Sequence, residues 1–592
     1  MLHNSTTWME VRRAHEQVQR CRFDLGVLIS ARTTVALFAV VVAVAPEAAA
    51  VSARSSLMSC VLHVPGEFPT IADAIAMAND GDTIQLAPGT YVDPFSFGFK
   101  AVTLRGSPDT PGTTTLAPLA LKERNLLSIP ALPEGDTITL EGLTLGGYAA
   151  FSVVDGSLAL RDCIVTSDAN GLSIAFHVMS GSVLMERLVI ADSGYEPHDR
   201  PLFEIENGSA YVAACETISG SRPILHGHQS DIFIDDSIFA GLTLDTLPTP
   251  VGAIESIDGS LTVRSGSFDS IGPGTGIVCH DSDLLVDQVT FDQIGDPITG
   301  IDLAIWADGP SITLRQCSIR SSGSFAAEAS AAILDSPNLV LEQCLVANNT
   351  LSDIGCGGVI VRGSASIQDC TFVGNSTFGR CGALRIQGAS TLARTHFSGN
   401  VGGDGEGAVL VEGTAHFEAC SFLGNSAGDG EYPTAIRGGA LGVDGGVATL
   451  TDCMLAQNST IANGKPSGEG GAIAVQHGGS VALMSSSVIE NVAMSGGGGV
   501  WVSPESALSI TGSSLCENLP DQIAGPFVDA GGAILCGCEG DLNGNGSVES
   551  ADLAILLGDW GPCVAIAADF TLDGNVNAED LSILLGSWGP CP

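Results

Sequence analysis

Two stretches of this 592-residue chain set oxygen donors at spacings that suit a metal ion. Asp541, Asn543, Asn545, Glu549 and Asp552 stand at positions 1, 3, 5, 9 and 12 of one loop, with Gly546 at 6 and the Ser547 carbonyl at 7. Asp569, Thr571, Asp573, Asn577 and Asp580 repeat the frame 28 residues later, with Gly574 at the bend and the Asn575 carbonyl after it. Carboxylate, amide and carbonyl oxygens around a glycine turn suit the flexible coordination of Ca²⁺ better than the tight octahedron of Mg²⁺. Thr571 is the weakest donor of the set. Each loop runs into a short helical pattern, Leu553, Leu556, Leu557 and Trp560 in one copy and Leu581, Leu584, Leu585 and Trp588 in the other. These residues are expected to form a shared core.

Acid–base chemistry needs imidazoles and carboxylates that stand apart from any repeat. The best such cluster is His226, His228, Asp231, Asp235 and Asp236, followed one to two repeats later by His280, Asp281 and Asp283. Asp235, Asp236, His280, Asp281 and Asp283 are the weak catalytic candidates. The chain has three lysines, Lys100, Lys122 and Lys465, and none lies near them.

A repeat must position these groups. Its unit is clearest at Ala365–Asn375, ASIQDCTFVGN, and returns around Cys163, Cys317, Cys344, Cys420 and Cys453. Counted through Cys215 and the substituted copies (Arg187, Ser237, Gly266, Val289, Thr395, Ser486, Ser513), the step is mostly about 22 to 29 residues. A period of that size marks a solenoid. Short β-branched runs between Gly, Ser, Asn and Asp read as strands and turns. About 25 residues is one coil of a right-handed parallel β-helix, and about 14 coils would make a rod of roughly 65 Å.

The recurring cysteines are expected as buried thiols, and Asn349, Asn375, Asn400, Asn425, Asn458, Asn491 and Asn518 as an inward ladder. Cys356 and Cys381 share another repeat position, within disulfide reach. Cys516, Cys536, Cys538, Cys563 and Cys591 could staple the C-terminal part, with a Cys516–Cys536 pair closing the cap. The connections at Ser426–Arg437 and Ser459–Glu469 are the longest, and neighbouring long loops would form a ridge.

Residues 1–53 read as an export segment. Arg12, Arg13, Arg20, Arg22 and Arg32 precede the apolar run Val35–Ala45 and a small-residue site at Val51-Ser52-Ala53. A retained N-terminal anchor is the alternative. The run is too short for a stable membrane span. Thr70 is placed to cap a helix over Ile71–Ala78 that covers the first coil. A net charge of −43 excludes nucleic acid as a partner and favours cations.

The segment from His63 with its repeats resembles secreted pectin-lyase-like right-handed β-helix proteins over roughly residues 60–535. The tandem over 539–592 resembles the dockerin module of extracellular polysaccharide-degrading complexes. That resemblance implies an EF-hand-like fold, Ca²⁺, and a cohesin-like domain or other cell-surface partner. Positions 10 and 11, which contribute to partner choice in dockerins, are Ser550-Ala551 and Ala578-Glu579, so the two faces differ. Two functions stand. One is a secreted structural, adhesion or carbohydrate-binding rod without catalysis. The other is a polysaccharide lyase or glycoside hydrolase, although the His/Asp cluster lacks the motifs of polygalacturonase-like hydrolases.

Overall fold

The computed structural model describes residues 59–592 apart from 108–110, 118–125, 130, 134, 147–149, 167–174, 192–200, 245–250, 296–301, 326, 429–435, 461–467, 537–539, 544–546, 563–567, 572–573 and 591–592. The export segment, Asn545, Gly546, Asp573, Cys538, Cys563 and Cys591 lie outside the described residues.

Alternating burial sets the strands. Asp231–Asp235 buries Ile232 and Ile234 and turns its other residues outward, and Ser182–Glu186 buries Val183 and Met185 likewise. Each strand pairs in parallel with its equivalents one coil before and after, so the protein is a parallel β-helix. One column of pairing runs through nineteen strands, from Val61–Val64 to Val528–Gly531. That exceeds the fourteen coils expected, because four rungs precede the first cysteine repeat and one follows the last. At about 4.8 Å per rung the column is roughly 86 Å long. No helix among the described residues is long and apolar enough to cross a membrane.

The bore is filled by aliphatic side chains and by runs of stacked rings one coil apart. Phe372, Phe397 and Phe422 lie 5.0 and 4.9 Å apart, and Phe239, Phe268 and Phe291 do the same. Cys163, Cys215, Cys317, Cys344, Cys370, Cys420 and Cys453 are buried free thiols. Burial pushes the Cys163 thiol up to about 12 and Cys215 up to about 11, so neither supplies thiolate at neutral pH. The residue before each cysteine position bends the chain at positive φ, as in Asp162 (52°), Asp236 (45°) and Asp369 (53°). Arg187 (54°) is therefore a bend residue, and the buried rung assigned to it from spacing is Leu188.

The asparagine ladder runs from Asn349 to Asn518, every rung fully buried. Each Nδ2 donates to the next Oδ1 at 2.9 to 3.0 Å. The same Oδ1 accepts the backbone N–H of the preceding rung, so the turn's own amides are satisfied by its neighbour.

At the N-terminal end, Thr70 Oγ1 accepts the Asp73 N–H, and the helix Ile71–Met77 buries Ile71, Ala74 and Ile75 on the first coils. At the other end Cys516 and Cys536 form a disulfide. Cys356 and Cys381 bridge adjacent coils but stay free, in a small core outside the bore with Ile333, Ile360 and Leu410.

Beyond the last coil, the helices Ser550–Gly558 and Ala578–Gly586 pack around Val548, Leu556, Ala568, Val576 and Leu584. Ser547–Val548 pairs with Gly589–Pro590, and Asn575–Val576 pairs with Gly561–Pro562 in the same antiparallel register. Each loop thus pairs with the chain that follows the other helix, an exchange in which the two copies swap roles. Leu557, Trp560, Leu585 and Trp588, expected in the core, are instead about half exposed. Leu556 and Leu584 are fully buried, and Leu553 and Leu581, one turn earlier on each helix, are partly buried against the same core.

Candidate functional site

Position 12 organises each Asx-rich loop. Asp552 accepts the Asn543 N–H at 3.0 Å and the Glu549 N–H at 2.8 Å. Asp580 accepts the Thr571 N–H at 2.9 Å and the Asn577 N–H at 2.8 Å. Both carboxylates are fully buried. Burial raises their pKa values, but the backbone N–H groups outweigh it and hold both below the ordinary carboxylate value. In the second loop the Thr571 hydroxyl lies 3.1 Å from Asp580 Oδ1 and 3.4 Å from Asp569 Oδ1, so oxygens of positions 1, 3 and 12 come together. Asp569 also accepts the Gly574 N–H at 2.9 Å, with Gly574 at φ +82° where the bend requires it.

From Glu539 to Pro592 the sequence carries nine carboxylates and no Lys, Arg or His. Buried anions without a cationic side chain in their own module fit a bound cation, and an all-oxygen donor set fits Ca²⁺. Among the described residues no three His, Cys, Asp or Glu side chains form a metal cluster. Of the twelve loop donors six are carboxylates, and the other six are three amides, a hydroxyl and two carbonyls.

The His/Asp candidates do not assemble. Asp235 ends its strand opposite Arg264, in a column of outward residues that continues through Asp287, Arg315 and Glu342. Asp236 and Asp281 occupy positive-φ bends. Asp283 starts a strand opposite Ser260, whose hydroxyl bonds Asp231 at 2.6 Å. His280 Nδ1 meets Asp308 Oδ2 at 2.8 Å, and the Asp281 N–H donates to the other oxygen of Asp308. His226 and His228 share the outer face of one strand with Glu204 and Glu206 of the coil before.

The densest charged cluster lies elsewhere, at the feet of the two long connections. Ile436–Arg437 and Gly468–Glu469 pair in parallel, so these connections are neighbours. Arg437 bonds Glu469 at 2.8 Å and Gln476 at 2.6 Å, and lies over the Trp501 ring at 4.3 Å. Asp444, in register with Gln476, takes Arg380 at 2.6 Å and holds His477 Nδ1. Arg380 also reaches Glu406 at 3.2 Å, while Arg385 forms a two-bond pair with Glu412.

Glu406 takes the place that Ala329, Cys356 and Cys381 hold in earlier coils. Its side chain lies where a Cβ on Gly442 would be, and its Oε2 is buried without a hydrogen-bond partner. Burial raises its pKa to about 7 against the pull of Arg380. Burial acts on Asp444 too, but the bonds from His477 and Arg380 prevail and lower its pKa. The arrangement can hold a proton on Glu406 near neutrality while the exposed His477 ring is oriented by a carboxylate. Sequence spacing located the two loops but missed this cluster. The legible signal was Glu406 itself, the one acidic residue at a position otherwise held by Cys, Ala or Gly.

No protein-family model matches the chain, and no curated protein matches it in sequence. Among solved structures it is similar to a mannuronic acid specific polysaccharide family 6 lyase from human gut microbiota, at 10% identity and TM-score 0.23, over 80% of this chain and 83% of that one. It is similar to the A-module of the Azotobacter vinelandii mannuronan C-5 epimerase AlgE6 at 11% identity and TM-score 0.15, over 72% and 91%. It is also similar to the Siphovirus 9NA tailspike receptor binding domain at 10% identity and TM-score 0.18, over 80% and 75%. Scores this low carry no argument about activity, and the fold stands on the strand pairing itself.

Proposed function

We propose that this protein is an extracellular β-helix rod, held in place by a Ca²⁺-dependent dockerin-like module, that binds polysaccharide without acting on it chemically. One observation carries the reading: the C-terminal module has nine carboxylates and no basic side chain, with Asp552 and Asp580 fully buried at the heart of its loops. A fold with that charge pattern needs Ca²⁺ as a structural part, as attachment modules of this kind do. The ligands are Asp541, Asn543, Asn545, the Ser547 carbonyl, Glu549 and Asp552, and Asp569, Thr571, Asp573, the Asn575 carbonyl, Asn577 and Asp580. The partner is a cohesin-like domain or cell-surface protein. An oxidising compartment agrees with the Cys516–Cys536 disulfide.

For the rod, an extended polymer suits a long outer face of regular strands, where a small ligand would need a deep pocket. The test is hydrogen exchange on the full chain with Ca²⁺ and with chelator. Protection at Asn543, Glu549, Thr571 and Asn577 should require Ca²⁺, and protection that ignores chelator would refute the module's role.

A second reading, a polysaccharide lyase or glycoside hydrolase, is favoured by the His477–Asp444 pair beside Glu406. Incubation with acidic and neutral polysaccharides separates the two. New reducing ends or unsaturated products that vanish in His477→Ala would establish catalysis, and intact polymer with measurable binding would establish the rod.

A further inference from the structure

The middle outward position of one strand column forms a strip along the rod without carboxylate, ammonium or guanidinium groups. Leu184, Tyr211, Phe233, Thr262, Leu285 and Thr313 stand in direct register on six successive coils. All six are partly exposed. Seven more coils extend the column from Val340 to Ser509 without an Asp, Glu, Lys or Arg. At about 4.8 Å per coil the strip is roughly 58 Å long.

A sheet face that meets only water is polar. Here aromatic or aliphatic residues alternate with hydroxyls from Phe233 to Val340. Outward apolar side chains lined up in this way mark a binding face. Its ligand must offer apolar C–H surface and hydroxyls together, as an uncharged sugar ring does.

The borders of the strip exclude an anionic polymer. Phe233 stands between the outward residues Asp231 and Asp235 of its strand, and Leu285 stands between Asp283 and Asp287. Against these four carboxylates the strand between them supplies one cation, Arg264, whose guanidinium lies over the Phe233 ring at 5.5 Å. The other guanidinium groups are already committed. Ten of the twelve arginines among the described residues hold a carboxylate at 3.5 Å or closer, and Arg222 is buried. With a net charge of −43, the chain repels a polyuronate along its length. For a neutral sugar the same carboxylates are strong hydrogen-bond acceptors for its hydroxyls.

Resting on the polysaccharide-binding reading above, we propose that the polymer is an uncharged glycan lying along this strip. Tyr211, Phe233 and Leu285 contact its sugar rings, and Asp231 and Asp283 accept its hydroxyls. Binding of this kind changes little with salt, because no opposite charges are paired.

The test is affinity electrophoresis of the full chain, with Ca²⁺ present, through native gels that each hold one polymer: β-glucan, xylan, galactomannan, polygalacturonate or alginate. At least one neutral polymer should retard the chain, and equally at low and high NaCl. The double variant Tyr211→Ala/Phe233→Ala should weaken that retardation by about fivefold with an unchanged circular dichroism spectrum. Leu285→Ser, a milder change on a separate strand of the strip, should weaken it as well and guards against misfolding of the first variant. Retardation by a polyuronate in preference to every neutral polymer, or neutral binding undiminished in both variants, would overturn the assignment while leaving the rod a polysaccharide binder. A chain that none of the polymers retards would overturn both the assignment and the reading beneath it.

Discussion

Truncating one rung of the asparagine ladder tests whether these residues hold the rod together or serve a ligand. Asn400 donates to Asn425 Oδ1 at 2.9 Å and to the Phe372 carbonyl at 3.0 Å. It accepts the Asn375 backbone N–H and side-chain amide, each at 3.0 Å. In Asn400→Ala, Asn425 Oδ1 keeps the Asn400 N–H, but three buried groups lose a partner: the Asn375 N–H, one proton of its amide, and the Phe372 carbonyl. Each stranded polar group costs about 1–3 kcal/mol. For three such groups the expected loss is about 3–9 kcal/mol, the lower end applying if a water enters.

Because each coil touches only its neighbours, the damage should stay local. Hydrogen exchange should rise in the coils around Phe372, Phe397 and Phe422 and remain unchanged near Phe176. The control Thr350→Ala removes an exposed hydroxyl bonded to Ser376 and should cost under about 0.5 kcal/mol. A loss below about 1 kcal/mol for Asn400→Ala, or exchange raised evenly along the rod, would show the ladder reasoning to be wrong.

Removing Ca²⁺ should strip protection from the two loops while leaving the β-helix intact. If Ca²⁺ is present at about 100 times its dissociation constant, each site contributes about 2.7 kcal/mol, read as a chelator-sensitive melting transition. Without Ca²⁺, the lowered pKa values of Asp552 and Asp580 contribute stability that is full above the unfolded carboxylate range and lost as pH falls through their native values. An acid titration followed by tryptophan fluorescence of Trp560 and Trp588 checks this. Glu406 runs the other way. With its pKa raised from 4.5 to about 7, the rod should lose stability as pH rises across that interval, by roughly 2–4 kcal/mol. Glu406→Gln should flatten that slope in urea unfolding at pH 5 and pH 8. Arg380→Ala removes the cation shared by Glu406 and Asp444 and should destabilise most at pH 8, where both are ionised.

Much of this molecule was legible in order along the chain. The cysteine and asparagine positions recur at a coil's length, so Cys370 and Asn375 could be read as rungs before any coordinate was known. Both became buried columns because a parallel β-helix stacks equal positions directly above one another. The Asx-rich loops were equally plain, since their donors are local in sequence.

Tertiary structure decided what depends on direction and on residues distant in sequence. Spacing alone could not tell the bend residue Arg187 from the buried Leu188, because one step along a strand reverses the face. Nor could helical periodicity foresee that the loops exchange strands and leave Trp560 and Trp588 outside. The cluster of Arg380, Glu406, Asp444 and His477 draws on four coils, each with a different connection length. Only stacking those coils brings a buried carboxylate, its guanidinium and an oriented imidazole to one place.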